Sequence, residues 1–355
     1  MSVTLDASIQ AIRDKLPKDL HSWSHPDDAK IWDENLYWES LRSEFAQHGY
    51  TLWKKCIGIF SFNIPNRESY TQNGWAYASP ARTVNEPAGG AVSLCTISIL
   101  SNLCQPASAS IGQSVVIRIV KMGDEGQQHL DILRHLARAP HTMMSANHVI
   151  PLLQEICIDD MTFCVFPMIG FPMDDAYRSW VENSVGDVVD MIIQMLQALV
   201  YIHNLRIAHL DVCKENFLVQ FFPESLKAGK VSLYRPRVVL IDFESAVQFP
   251  LDTPVAEQVV TGPPRGTWKT YGRKCPPEVY TGTPYDPYKS DIWQLGRSLR
   301  EFRSTVPQID AVLASLTNAE RSSAETYLGQ LRDIVNAMPP NALLIAPVLV
   351  VDEES

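Results

Sequence analysis

Three oxygen-bearing side chains carry the chemistry that this sequence offers: Asp211 and Asn216 in "AHLDVCKENFLVQ", and Asp242 in "IDFESAV". Their donors are hard oxygens, which suit magnesium better than zinc or copper. Magnesium commonly bridges to phosphate. With Asn216 and Asp242 on metal ions, Asp211 could orient a hydroxyl and accept its proton during phosphoryl transfer. The plainer alternative is that each residue caps a turn by accepting from backbone amides. The order and spacing of the three favour the chemical role.

Such loops need rigid elements behind them. "VGDVVDMIIQMLQALVYIHNLRI" has apolar residues at Val188, Ile192, Met195, Leu199 and Ile202, the spacing of a buried helix, and leads straight into the first loop. "NFLVQFF" follows the loop, and "PRVVLIDFESAV" predicts a strand that ends on Asp242. Earlier in the chain, "SVVIRIVK" alternates as a strand. "EGQQHLDILRHLARA" has helical spacing at Leu130, Leu133 and Leu136, and "MTFCVFPMIG" predicts another strand. Residues 54–112 are rich in Ser, Ala, Pro and Asn, with short runs such as "SLCTISIL" that predict strands joined by loops. Before them, "IWDENLYWESLRSEFAQHGY" places Ile31, Leu36, Leu41 and Phe45 on a shared helix face. A strand-rich first half and a helix-rich second half, with two acidic loops near the seam, suggest a cleft between lobes.

Composition narrows the class. At 355 residues the chain can bury one large core or two moderate ones. A net charge of −10 and a pI near 5.4 argue against nucleic acid or anionic membrane as general partners. The seven cysteines lack C-x-x-C spacing and mostly sit in apolar runs, which predicts reduced thiols without a zinc site. "MSVTLDASIQAIRDKL" has no apolar signal core, and no segment holds the roughly 18 apolar residues of a membrane span. An intracellular protein, cytoplasmic or nuclear, is expected.

"HLDVCKEN" resembles the protein-kinase catalytic loop H-R-D-x-x-x-x-N, and "IDFES" resembles the D-F-G metal loop that follows it. "CPPEVY" is similar to the A-P-E end of the activation segment, and "SDIWQLG" to the start of the helix anchoring the second lobe. "NAERSSAETYL" resembles the last family motif. More narrowly, "VVIRIVKMGDEGQQHLDIL", "IDFESAV" and "PYDPYKSDIWQLG" look like a group of fungal protein-kinase-like proteins. The resemblance implies an α+β bilobal fold, with a small antiparallel β-sheet and one helix in the N-lobe and a mainly helical C-lobe. That resemblance covers about residues 110–335 and says little of the first hundred. With the composition along the chain, the expected division is a helical N-terminal extension over 1–53, a divergent N-lobe over 54–168, a C-lobe abbreviated at its end over 169–340, and a tail over 341–355.

The same resemblance assigns roles. Asp211 is the catalytic base, and Asn216 and Asp242 are the magnesium ligands. Asp291 fixes the catalytic-loop backbone, His209 helps to hold the loop as a neutral ring, and Arg321 pairs with Glu278. Arg118 stands where the family has its nucleotide Lys. Phe166 guards the back of the adenine pocket, Pro167 offers a carbonyl and Ile169 an amide. ATP and Mg²⁺ are the implied cofactors.

Departures gather in the first lobe. Arg118 is bulkier than Lys and binds phosphate in a plane. Lys121 is the nearby alternative, but strand alternation sends it to the opposite face. His129 replaces the helix Glu, leaving Glu125 as a possible partner. No G-x-G-x-x-G precedes "SVVIRIVK"; the nearest glycines are Gly89, Gly90 and Gly112. Glu244 replaces the Gly of the metal loop, where it either repels phosphate or adds a ligand. Leu210 replaces the loop Arg that couples activation-loop phosphate to the base, so that switch is not expected.

Cys213 stands two residues after Asp211, where Ser/Thr kinases carry a Lys. Lys214 next to it is a candidate catalytic cation or a solvated loop residue, and Cys213 reads as an inert small residue unless the charge of Lys214 activates its thiol. Thr253, Thr261, Thr267, Thr270 and Tyr271 are hydroxyls of the activation segment. Arg265, Lys269, Arg273 and Lys274 form a basic island, either a solvated loop or a steering patch for an acidic partner. "ALLIAPVLVV" is expected to pack on the fold and "DEES" to be solvated. The resulting expectation is transfer of the ATP γ-phosphate to Ser or Thr of a protein substrate. The alternative is a pseudokinase that binds nucleotide weakly or not at all and acts as an interaction scaffold. "CPPEVY" and the long activation segment speak against a small-molecule acceptor.

Overall fold

A computed structural model describes residues 10–26, 31, 35–56, 61–63, 82–85, 91–94, 96–99, 101–177, 183–220, 236–266 and 271–350. Thr267, Lys269, Thr270, Gly89, Gly90 and the final "DEES" lie outside these residues. The chain divides into two compact units, Met1–Arg134 with Pro151–Gly170, and His135–Ile150 with Phe171–Ser355.

The first unit begins with short helices α1 (Leu20–Ser24), α2 (Leu36–Ser40) and α3 (Arg42–Gln47). Asp19 caps α1 by accepting from the Ser22 amide, and Glu125 accepts from the Leu20 amide at 2.9 Å. The shared face expected from Ile31 to Phe45 is not formed. The helix breaks at Leu41, which turns the earlier residues: Leu36 is 39% exposed, and Trp38 is buried in its place with Leu41 and Phe45. Trp23, Trp38, Phe45 and Phe163 meet edge-on or tilted at 5.1–6.1 Å between ring centres. Each such pair is worth about 0.5–1.5 kcal/mol beyond area burial. Both indole N–H groups donate to the Asn102 carbonyl. These helices therefore belong to the core of the first unit.

Strand β1 (Tyr50–Leu52) begins a five-stranded antiparallel sheet. Two separate ladders follow, β2 (Ser61–Asn63) with β5 (Thr96–Ser98), and β3 (Arg82–Asn85) with β4 (Ala91–Leu94). The sheet resumes with β6 (Cys104–Ala109), β7 (Ser114–Met122), β8 (Gln154–Ile158) and β9 (Met161–Pro167), in the order β1-β6-β7-β9-β8. Val115, Ile117 and Ile119 face the aromatic core, and then the phase changes: the next core residue is Met122. A bulge between Ile119 and Lys121 against β9 inserts the extra residue. That bulge corrects the alternation rule, since it returns Lys121 to the half-exposed face of Val116 and Arg118.

Helix α4 (Gln127–Leu136) buries Leu130, Leu133 and Leu136. Gly126 precedes it at φ +80°, where a Cβ would lie 1.9 Å from the Val120 carbonyl oxygen. Only glycine fits that approach.

The second unit is organised by α5 (Val185–Asn204), which Ser184 and Asp187 cap reciprocally. It is long and apolar enough to cross a membrane by length and composition, but Val188, Ile192, Met195, Leu199 and Ile202 are fully buried within the unit. Short strands β10 (Phe171–Pro172), β12 (Phe217–Val219) and β13 (Val238–Leu240) form one sheet, and β11 (Ile207–Ala208) pairs with β14 (Val247–Gln248). Helices α6 (Pro287–Ser298), α7 (Pro307–Ser315) and α8 (Ala324–Asn336) complete the helical part. In the tail, β16 (Val348–Leu349) pairs with β15 (Phe302–Arg303) and Leu343 is buried, while Leu344, Ile345, Val348 and Leu349 stay exposed. Among the described residues of the tail, backbone hydrogen bonds and the buried Leu343 attach it, Pro347 and Val350 are partly buried, and the packing expected of the four exposed apolar side chains is not formed.

Candidate active site

The loop between β11 and β12 is held from below by α6. Asp291 is fully buried and accepts the amides of His209 (2.8 Å) and Leu210 (2.7 Å), together with His203 Nε2 (2.8 Å). Gln294, one turn further along α6, accepts from the Val212 amide at 3.0 Å and donates to the Leu210 carbonyl at 2.9 Å. These contacts impose φ +62° on Leu210, a left-handed conformation that a non-glycine residue holds at a cost of about 1–2 kcal/mol.

His209 joins this loop to the next one. Its Nε2 lies 2.9 Å from the Ile241 carbonyl, which only accepts, so the proton is on Nε2. Nδ1 is then the acceptor for the Asp211 amide at 3.3 Å. A neutral imidazole satisfies both contacts. The Ile241 amide in turn donates to the Asn216 carbonyl at 2.9 Å. Asp242 follows at φ +66°, at the start of a 3₁₀ turn, so the two loops meet through Ile241.

Asn216 Nδ2 donates to the Asp211 carbonyl (2.9 Å) and to Asp211 Oδ2 (3.0 Å). That assignment leaves the amide oxygen of Asn216 as its metal-capable atom. The Asp242 carboxylate, on the adjoining loop, is a second hard-oxygen group of the type that suits Mg²⁺. Among the described residues no cluster of three or more His, Cys, Asp or Glu side chains is poised for a metal ion.

A match to the protein kinase domain covers residues 107–325, more than half of the chain. The chain belongs to the protein kinase family. Serine/threonine-protein kinase DCLK2 of Homo sapiens is 28% identical to it over 191 residues, which cover 53% of this chain and 21% of that protein. The Mus musculus DCLK2 is 28% identical over 174 residues, covering 48% and 19%. The matched region thus spans about a fifth of the length of these curated relatives.

Within this kinase domain, several sequence expectations are corrected. Lys214 does not reach Asp211: its ammonium is clasped by Asp174 at 2.6 Å and Glu301 at 2.8 Å, and lies over the Tyr177 ring. The half-buried 3₁₀ turn Lys214–Asn216 points it there. Cys213, by contrast, is as the inert reading expects: it is buried, and burial pushes its thiol far up. Within the basic island, Lys269 lies outside the described residues, and two of the other cations are half-exposed but paired with carboxylates. Arg265 binds Glu244 at 2.6 Å, and Arg273 binds Asp211 Oδ1 at 3.1 Å and Glu215 at 3.3 Å.

Tyr271 was visible in the sequence only as one hydroxyl among several. Its hydroxyl lies 3.0 Å from Asp211 Oδ1 and 2.9 Å from the Leu210 carbonyl, while Gln294 Nε2 donates to it at 2.8 Å. Burial raises the phenol pKa, and Asp211 raises it further. No local signal identified this contact, because 60 residues separate the partners.

The remaining site residues are distributed as follows. Arg321, almost fully buried, donates to Glu278, and also to the carbonyls of Lys289 (2.6 Å) and Asn318 (3.1 Å). Arg118 lies mid-strand in β7 opposite Cys164. Phe166 and Ile169 are buried, and Pro167 pairs with Val115 at the end of β9. Glu125 gives its carboxylate to the Leu20 amide, so its structural task is to hold α1. No short glycine turn links β1 and β6; residues 53–103 join them and include the two extra ladders.

Proposed function

We propose that this chain is an active phosphotransferase that moves the γ-phosphoryl group of ATP to a Ser or Thr hydroxyl of an intracellular protein. The observation that carries the proposal is the hydrogen-bonded pair of Asp211 and Asn216 on a loop pinned by Asp291. Asp211 is the proposed base, oriented by Asn216, and would accept the proton of the acceptor hydroxyl. Asn216 and Asp242 would hold Mg²⁺, which supplies charge neutralisation on the phosphates. Arg118 would contact the nucleotide phosphates, and Phe166, Pro167 and Ile169 the adenine. Glu278 and Arg321 would support the loop that receives the protein substrate.

A second proposal, a noncatalytic scaffold, draws support from one feature: Asp211 Oδ1 already accepts from Tyr271 and Arg273. The two separate in a thermal-shift titration with MgATP on the native chain and Asp242→Ala. A ligand at one hundred times its dissociation constant adds about 2.7 kcal/mol of stability. The kinase proposal expects a shift that Asp242→Ala removes, and γ-phosphate transfer that Asp211→Ala abolishes. Absence of any shift would favour the scaffold.

A further inference from the structure

The catalytic loop brings no cation of its own to Asp211. Position 213 holds a buried cysteine, and the Lys214 ammonium is committed to Asp174 and Glu301. A cation does reach the base from a distant part of the chain. Arg273 places Nε 3.1 Å from Asp211 Oδ1 and Nη1 3.3 Å from Glu215, and Tyr271, two residues earlier, anchors the same segment to Asp211 and Gln294. The guanidinium is not sealed in. Its side chain is 42% exposed, and a cavity of about 270 Å³ opens beside it, lined among others by Cys213, Glu215, Tyr271 and Arg297.

We propose that Arg273, delivered by the activation segment, supplies the positive charge that stabilises the phosphoryl group in transit, in place of a cation on the catalytic loop. This rests on the phosphotransferase proposal above. In that step the acceptor oxygen bonds to the γ-phosphorus, the bond from that phosphorus to the bridging oxygen breaks, and the nucleoside diphosphate leaves with the electron pair. Asp211 takes the hydroxyl proton. Negative charge spreads over the equatorial oxygens of the moving group, and a planar guanidinium can donate to two of them. Nε would keep its bond to Asp211, so one side chain would both position the base and meet the phosphoryl group. Cys213 lines the same cavity, so a lysine placed there would have space to approach the same region.

The test uses the full chain as native protein, Arg273→Ala, and Arg273→Ala combined with Cys213→Lys. Loss of one preorganised charge contact should lower kcat about 100-fold in Arg273→Ala. The added lysine should restore at least tenfold of that, a rescue that a purely structural role for Arg273 does not predict. An unchanged or raised kcat in Arg273→Ala would identify Arg273 as dispensable or as an inhibitory plug, and would overturn the proposal.

A binding measurement covers a chain that does not turn over or a double variant that does not fold. Thermal shifts with MgADP alone and with MgADP plus aluminium fluoride, a planar phosphoryl mimic, are compared in native protein and Arg273→Ala. The native protein should gain affinity from the fluoride, and Arg273→Ala should lose that gain while keeping its MgADP shift. No gain in the native protein, or the same gain in Arg273→Ala, would sink the assignment. Fluoride-dependent binding without turnover would count against the phosphotransferase proposal alone.

Discussion

Replacing Asp291 with Ala should be among the most damaging single changes in the second unit. The carboxylate is fully buried and accepts three hydrogen bonds, two of them from the backbone amides of His209 and Leu210. Alanine leaves both amides without an acceptor in a dry site, at about 1–3 kcal/mol each. It also removes what holds Leu210 in its left-handed conformation, so the loop can relax and recover part of that loss. The net expectation is a loss of about 3–5 kcal/mol, a large fraction of the stability of an ordinary domain. Asp291→Asn should lose less, because one amide oxygen still accepts while the new NH₂ faces a donor. Urea unfolding followed by tryptophan fluorescence would measure both variants against the native chain, at matched m-values. A loss below about 1 kcal/mol in Asp291→Ala, with the loop conformation retained, would refute the assignment of Asp291 as the organiser of this loop.

Other perturbations test separate parts of the structure. Burial pushes His148 down to about 4, so its folded form is neutral while the unfolded chain protonates near 6.5. The unfolded state then binds more protons between those values, and stability should fall on acidification through that window, by about 2 kcal/mol at pH 5 relative to pH 7.5. Urea midpoints at the two pH values should converge in His148→Gln. Arg321→Met should lose about 2–3 kcal/mol by thermal or urea unfolding, less than a fully buried pair because Glu278 is 37% exposed. Gly126→Ala should destabilise the first unit by more than about 2 kcal/mol, since its Cβ meets a backbone oxygen at positive φ. Near-native melting of that variant would show that the turn can shift. Lys214→Met should lower stability by leaving Asp174 and Glu301 facing each other without their shared cation, and an unchanged urea midpoint in that variant would argue against the ion-pair role.

Much of the candidate site was legible because its residues lie close together along the chain. Asp211 and Asn216 share one loop, Asp242 ends the next strand, and the apolar periodicity of α5 announced the element before them. Short-range spacing decides which side chains a turn can bring together, and hydrophobic period decides which face an element buries. Sequence alone therefore determined the kinase-type loop, the strand carrying Arg118 and the helix carrying Asp291. It did not determine which cation serves Asp211. Lys214 was the nearest in sequence, but Asp174 and Glu301 draw it away, and Arg273 arrives from 62 positions down the chain. The phase of Lys121 was likewise beyond a local rule, because one bulged residue reverses strand alternation and only the pairing with β9 reveals it. Ion-pair partners and bulges are set by what long-range folding places within a few ångströms, where Coulomb attraction is steep and backbone register is shared.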